Sequence, residues 1–283
     1  MSLNSVNTNI GASIALQSLN ATNNELAVTQ KRISTGYRVA DAVDDGAAYA
    51  IAQRVRSDVG SLTSANQQLG NVKGLISTAI SGLDKTSKTL VDARKILVAL
   101  ADSNTQGDQR VENQAQYKQL LDNVKTFIQD AGYNGKTLIG NISGSNGSHG
   151  GVAVIRNEVG GSYGVAAFDG SALYNALAFN TTQLTTASSV QALITQGGAF
   201  LTQLSTLGKQ LNTFGAASKY VDNQVGYNSD KIDSLNNGLG ALIDADLAKE
   251  SAKLQSLQIR QQLGTQSLSI ANQAPQSLLS LFK

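Results

Sequence analysis

The chain of 283 residues contains no cysteine and no tryptophan, and only one histidine, one proline and one methionine. Without cysteine there is no disulfide framework, no thiol nucleophile and no zinc site of the Cys/His kind, because His149 stands alone. A Ser–His–carboxylate triad would have to be served by that one imidazole. Charge is sparse as well: 15% of residues are Asp, Glu, Lys or Arg, well under the usual quarter or so. The balance is 22 basic to 20 acidic residues, and the densest basic clusters are pairs such as Lys31-Arg32, Arg54/Arg56 and Arg94-Lys95. A nucleic-acid binder needs a denser stripe than that. No apolar run reaches the roughly 18 residues of a membrane span. The first basic residue is Lys31, so the start lacks the charged region of a cleaved secretory signal. No cofactor and no metal site are expected. The composition favours packing over chemistry.

What is present is helical periodicity. Eleven of the 27 glycines fall between Gly132 and Gly170, and short apolar runs there predict a hairpin of Val152–Ile155 with residues 163–168. The flanks repeat apolar residues at alternating spacings of four and three. From Ala48 to Ala101, twelve of sixteen such positions are Ala, Val, Leu or Ile; the exceptions are Asn66, Lys73, Ser87 and Arg94. From Leu193 to Leu242, twelve of fifteen are apolar, the exceptions being Gly197, Ser218 and Asn228. Seams of this length predict coiled-coil packing.

Shorter seams lie at the two ends. Ala12, Leu16, Leu19, Leu26, Ile33 and Tyr37 form one, with Asn23 and Gln30 as polar members. Ile243, Leu247, Leu254, Leu257, Leu268, Ala271, Leu278 and Phe282 form the other, interrupted by Glu250, Gln261, Gly264 and Pro275. Pro275 predicts a bend or break. Two joints, at STGYRVADAVDDG and LNNGLGALIDAD, separate the ends from the middle. Asp44 and Asp244 are expected to cap the helices that follow, and Ser188 with Gln191 and Ser103 with Gln106 to form capping boxes. Gly132 is expected to stop the helix holding Tyr117, Leu121, Val124 and Ile128.

Residues 1–24 and 261–282 carry no charged side chain. A solvated helix normally displays charges on its outer face. Neutral outer faces point to burial against further copies of the same chain. Such ends have little core of their own in a monomer and are expected to fold on assembly.

Three stretches carry a family resemblance. They are LNSVNTNIGASIALQSLN, KRISTGYRVADAVDDGAAYAIAQR, and DADLAKESAKLQSLQIRQQLGTQSLSIANQAPQSLLSLFK. In this order they resemble bacterial flagellin, and the last is most similar to the small alphaproteobacterial flagellins. The resemblance implies a mainly α fold: a long coiled-coil helical bundle with paired N- and C-terminal helices and a small β-hairpin region. Domain D0 would be 1–42 with 243–283. Domain D1 would be 43–242 with its hairpin near 136–170, and large outer domains would be absent.

The resemblance also implies the function, a non-enzymatic subunit that polymerises head-to-tail into the extracellular flagellar filament for swimming. It would be exported through the type III channel without a cleaved signal peptide. Its partners would be itself, the flagellar cap, hook-associated proteins and an export chaperone, with no nucleic acid and no membrane insertion. The polymerisation seam would be Leu16, Leu19, Leu26, Ile33, Leu247, Leu254, Leu257, Leu268, Leu278 and Phe282. Many flagellins engage an innate-immune Toll-like receptor through an arginine-bearing patch. Here the matching stretch, 90–100, keeps Arg94 but has Asp92 where the pattern has an arginine, which implies poor activation. Related flagellins are often O-glycosylated, and Thr181, Thr182, Thr185, Thr186, Ser188 and Ser189 are candidates. A plain polar loop with a helix cap explains the same cluster. The rival assembly reading is a hook–filament junction protein. An H-E-x-x-H peptidase insert is excluded by the single histidine, and a soluble adhesin or signalling coiled coil need not form filaments.

Overall fold

The computed structural model describes residues 8–280, with side chains to residue 273. Among them are eight helices: α1 Ile10–Thr35, α2 Gly46–Leu100, α3 Gly107–Asp130, α4 Gly170–Leu177, α5 Thr181–Thr185, α6 Ala187–Ile194, α7 Ala199–Ile243 and α8 Leu247–Ser280. Five short strands, β1 Gly132–Tyr133, β2 Lys136–Thr137, β3 Ser148–His149, β4 Val152–Ile155 and β5 Ser162–Val165, lie between α3 and α4. The protein is mainly helical. It divides into two compact units: Met1–Ser57 with Asp233–Lys283, and Asp58–Ile232.

In the middle unit α2 buries a strict seven-residue repeat. Leu62, Leu69, Ile76, Leu83, Leu90 and Leu97 are all fully buried. The second buried row is Ala65, Ala79, Thr86, Ala93 and Leu100. The seam therefore alternates three and four, one residue off the four-and-three series from Ala48. That offset explains Asn66, Lys73, Ser87 and Arg94: they flank the core, and Lys73 and Arg94 are exposed. Each repeat shares one row between the two readings, so apolar counting alone cannot separate them. In α7, Phe200, Leu207, Phe214 and Val221 repeat at seven and are fully buried, as the sequence predicts. From α3 come Tyr117, Leu121, Val124 and Ile128. Apart from Leu62, Ala65 and Thr86, these residues make one core with Val154, Val165, Leu173 and Leu177. A buried side chain of this size contributes about 1.5–3 kcal/mol, so the repeats dominate the stability of this unit.

The Tyr117 hydroxyl donates to Leu177 O at 2.8 Å, and burial pushes its pKa up. Arg110 closes the α2–α3 turn. Its guanidinium donates to Leu100 O (2.7 Å), Thr105 O (2.9 Å) and Leu184 O (2.9 Å). These include carbonyls that a helix end leaves without a partner.

β4 and β5 form the expected hairpin, Val152 opposite Val165 and Ile155 opposite Ser162; the second strand ends at Val165 rather than at residue 168. β1 and β2 pair antiparallel, and β3 joins β2 in parallel. Gly132 is part of β1, not the helix stop. A Cβ there would meet Asn146 O at 1.8 Å, so close backbone approach selects the glycine. The capping boxes also differ. Thr186, not Ser188, caps α6 by accepting from Ser189 N, and the capping box is Asn180 with Gln183 at α5. Gln106, before α3, has no side-chain cap bond.

In the terminal unit, helix α8 is continuous through Pro275 to Ser280, so the proline does not interrupt it. Proline removes one ladder bond, and the neighbouring bonds carry the turn. The side chain of Leu278 is not described, and Phe282 lies outside the described residues.

Candidate functional site

The site is the pair α1 and α8, which pack along each other. Asn9 starts the pairing. Its side-chain oxygen accepts from Ala12 N at 3.0 Å, which caps α1, and its amide donates to Ala271 O at 2.7 Å. Further along, Gln261 donates to Asn23 Oδ1 at 2.8 Å. Arg32 meets Glu250 at 3.1 Å. Residue numbers rise on one helix as they fall on the other, so the helices run antiparallel. The positions that break the apolar pattern of α8 thus hold the register. Gly264 belongs to the same set: a Cβ there would stand 3.2 Å from Leu19 Cδ1.

The inward row of α8 is Glu250, Leu254, Leu257, Gln261, Gly264, Leu268 and Ala271, the series that the sequence predicts. The inward row of α1 is Ala12, Ala15, Leu19, Thr22, Leu26, Thr29 and Ile33. Ala15, Thr22 and Thr29 take the places assigned to Leu16, Asn23 and Gln30. Of the expected seam, Leu19, Leu26, Ile33, Leu254 and Leu268 are half-buried, Leu257 is buried, and Leu16 and Leu247 stand about half exposed.

A second row runs along the opposite face of each helix. On α1 it is Ile10, Ile14, Gln17, Ala21, Asn24 and Val28. On α8 it is Ala252, Ser256, Ile259, Leu263, Gln266 and Ile270. Both keep the four-and-three spacing and all are exposed. Ile14 is 59% exposed and Leu263 62%. Sequence reasoning inferred a second buried side from missing charge but did not find these rows. The spacing could have identified them, because a helix with two opposed apolar rows has two partners.

The joints lie against each other. Tyr37 bridges to Asp244, and Ile243 O accepts from Arg38 N (2.7 Å) and Val39 N (3.2 Å). Ala245 N returns to Gly36 O at 2.9 Å. Gly36 ends α1 at φ 73, the left-handed turn that favours glycine. A small core of Val39, Ala48, Ala52 and Ile243 sits beneath. The caps fall next to the expected positions: Asp45 accepts from Ala47 N and Ala48 N, and Asp246 from Ala248 N and Lys249 N. Asp44 instead binds the loop. It accepts from Ala40 N (3.0 Å) and pairs with Lys31 at 2.9 Å; Lys31 also reaches Asp41 at 2.6 Å. The hydrogen bond from Lys31 is the main reason both carboxyls titrate below their usual range, and the two carboxylates raise the pKa of Lys31.

Elsewhere, Asp92 is exposed and pairs with Lys95 at 2.8 Å. Thr181, Thr182, Thr185, Thr186 and Ser188 are exposed and Ser189 is half-buried. Among the described residues no group of His, Asp or Glu could hold a metal ion, and no helix is long and apolar enough to cross a membrane.

Residues 6–143 match the family model for the bacterial flagellin N-terminal helical region, and 198–282 that for the C-terminal helical region. The chain is 36% identical to flagellin FljK of Caulobacter vibrioides over the whole of both chains. It is 34% identical to a flagellin of Brucella melitensis over 99% of each. A solved Vibrio parahaemolyticus structure, assigned to the flagellar hook-associated class, aligns with TM-score 0.55 at 13% identity, over 71% of this chain and all of that one. At that identity the likeness is one of fold.

Proposed function

Because the chain belongs to the bacterial flagellin family, we propose that the outward rows of α1 and α8 are the surfaces on which its copies pack. The protein is a structural, non-enzymatic subunit of the extracellular flagellar filament and polymerises with itself. The finer reading is that the paired terminal helices form the filament core. The observation that carries it is the row Ile10, Ile14, Val28 facing away from α8, with Ile259, Leu263 and Ile270 facing away from α1. These are large apolar residues on helices whose far ends are uncharged. Burying six such side chains from half exposure is worth on the order of 5 kcal/mol per subunit. Head-to-tail contacts that do not close generate a helical polymer. Leu16, Leu247, Leu278 and Phe282 are assigned to the same intersubunit seam.

On this reading 1–42 with 243–283 is the inner domain D0 and 43–242 is D1. Export through the type III channel without signal cleavage, and contacts with the cap, hook-associated proteins and a chaperone, follow from the family assignment. Thr181, Thr182, Thr185, Thr186, Ser188 and Ser189 are candidates for O-glycosylation, a reading supported by the exposure of five of the six; the helix-capping role of Thr186 favours the plain polar loop. An intact mass equal to the bare chain would reject that modification.

Electron microscopy tests the main reading. The full chain and a version lacking 1–42 and 243–283 are each mixed with short filament seeds. Filaments from the full chain alone are expected. No filaments from either, with a stable monomer, would favour a junction protein.

A further inference from the structure

We propose that Asn134 is a spontaneous modification site, whose side-chain amide cyclises onto the backbone nitrogen of Gly135 and reopens as aspartate or isoaspartate. Asparagine followed by glycine is the dipeptide most open to this reaction, because no side chain blocks the approach of the nitrogen. The chain has three such pairs, beginning at Asn134, Asn146 and Asn237. The fold treats them differently.

Asn237 lies inside α7, where backbone N–H groups are committed to the helix ladder and the dihedrals are fixed. Asn146 is tied at both ends. Its backbone N donates to Gln129 O at 2.8 Å and its amide to Asp130 Oδ1 at 3.3 Å. The nitrogen that would attack it, Gly147 N, donates to Ser145 O at 3.0 Å.

Asn134 and Gly135 form the two-residue turn between β1 and β2, with φ values of 48 and 73. Both are exposed. Among the described residues no hydrogen bond holds the Asn134 side chain or the Gly135 N–H. A Cβ built on Gly135 would meet nothing within 4 Å, so that side of the turn is open. The strands it joins are two residues each, and although Ser148 N donates to Gly135 O at 2.9 Å from β3, ladders this short open locally far more often than the core.

The reaction needs only water. The Gly135 nitrogen bonds to Asn134 Cγ and loses its proton. The Cγ–Nδ2 bond breaks, and the departing nitrogen takes up that proton and leaves as ammonia. Water then opens the five-membered imide. Attack at the side-chain carbonyl restores the normal main chain with an aspartate. Attack at the main-chain carbonyl leaves the chain running through the former side chain. The second product lengthens a turn whose flanks pair Tyr133 with Lys136. It therefore disturbs the Tyr133 ring, which lies over Gly74 of α2. Both products place a new carboxylate beside Lys136.

The test uses the full-length monomer held in mildly alkaline buffer, sampled over days and digested with trypsin. The peptide 126–136 contains Asn134 as its one asparagine, while 137–156 and 232–249 report on Asn146 and Asn237. The expected result is the amide-to-acid mass shift appearing in 126–136 well ahead of the other two, with both aspartate and isoaspartate found by fragmentation. In urea the three peptides should convert at similar rates, because the selectivity comes from the fold. An unchanged 126–136 in the native chain, or native conversion of Asn146 or Asn237 just as fast, would overturn the proposal.

Discussion

The Asn228 side-chain amide donates to Asn66 Oδ1 at 2.8 Å, joining a polar residue buried within the α7 seam to one that flanks the α2 seam. Asn228 is fully buried. It also donates to Arg156 O at 3.0 Å and accepts from Gln224 at 2.9 Å. The hairpin is thereby fastened to α7 by the same amide that links α7 to α2. A buried polar pair fixes the register of a coiled coil where apolar rows would tolerate a slip. Asn228→Ala should destabilise the protein by about 1–3 kcal/mol, because Asn66 and the Arg156 carbonyl lose a partner. Urea unfolding measures the loss. Amide exchange should rise first in β4 and β5, and unchanged protection there would refute the role.

Lys31 with Asp41 and Asp44 makes the first joint sensitive to acid. Both carboxyls titrate below the ordinary 3.8. Their contribution is therefore complete above that value and is lost as pH falls through their lower folded pKa values. Lys31 is raised above 10.5, so its contribution is complete below that pH and fails only at more alkaline values. Protection of residues 36–46, relative to the intrinsic exchange rate, should fall in strong acid, and Lys31→Met should show that lowered protection already at pH 7.

Thr29 is fully buried and its hydroxyl has no hydrogen-bond partner among the described residues. Thr29→Val keeps the shape and removes the unpaired group. It should leave stability unchanged or raise it by about 1 kcal/mol. A clear fall in the thermal midpoint would show that the hydroxyl is satisfied in solution.

Gly264 leaves room for Leu19. Gly264→Leu should force the two helices apart at a cost of about 1–3 kcal/mol, offset in part by better helix propensity. Seeded filament growth should slow or stop, while the core that Tyr117 shares with the α2 row, probed by amide exchange in α2 and α3, stays intact.

Asp92→Arg should increase activation of a Toll-like receptor in reporter cells, since it restores a basic group next to Arg94 and removes the Lys95 pair. Equal responses from the original and substituted chains would count against the expected effect of Asp92.

The long helices, the two joints and the hairpin were legible because each rests on local signals: a seven-residue repeat, turn residues, and short apolar runs between glycines. The α8 row was legible from Glu250 to Ala271, while Leu247 stands half exposed. The α1 and α2 rows were displaced by one, since Ala15, Ala65, Thr22 and Thr86 carry too little apolar weight to outvote Leu16 or Ile80. Small residues sit in such rows because the neighbouring helix is close, and closeness is a tertiary fact. The caps shifted for a related reason. Asp44 and Asp45 are equally good caps in isolation, and Lys31 draws one of them away. The outward rows give a weaker signal, because Gln17, Asn24, Ser256 and Gln266 interrupt them.

The antiparallel contact of Asn9 with Ala271 puts the beginning of α1 beside the later part of α8. A bulky group attached at the start of α1 would therefore stand beside the later part of α8, against the surface proposed for packing between copies. A fluorescent or affinity label belongs instead on the hairpin tip, where Val159 is 79% exposed and the chain already turns back on itself.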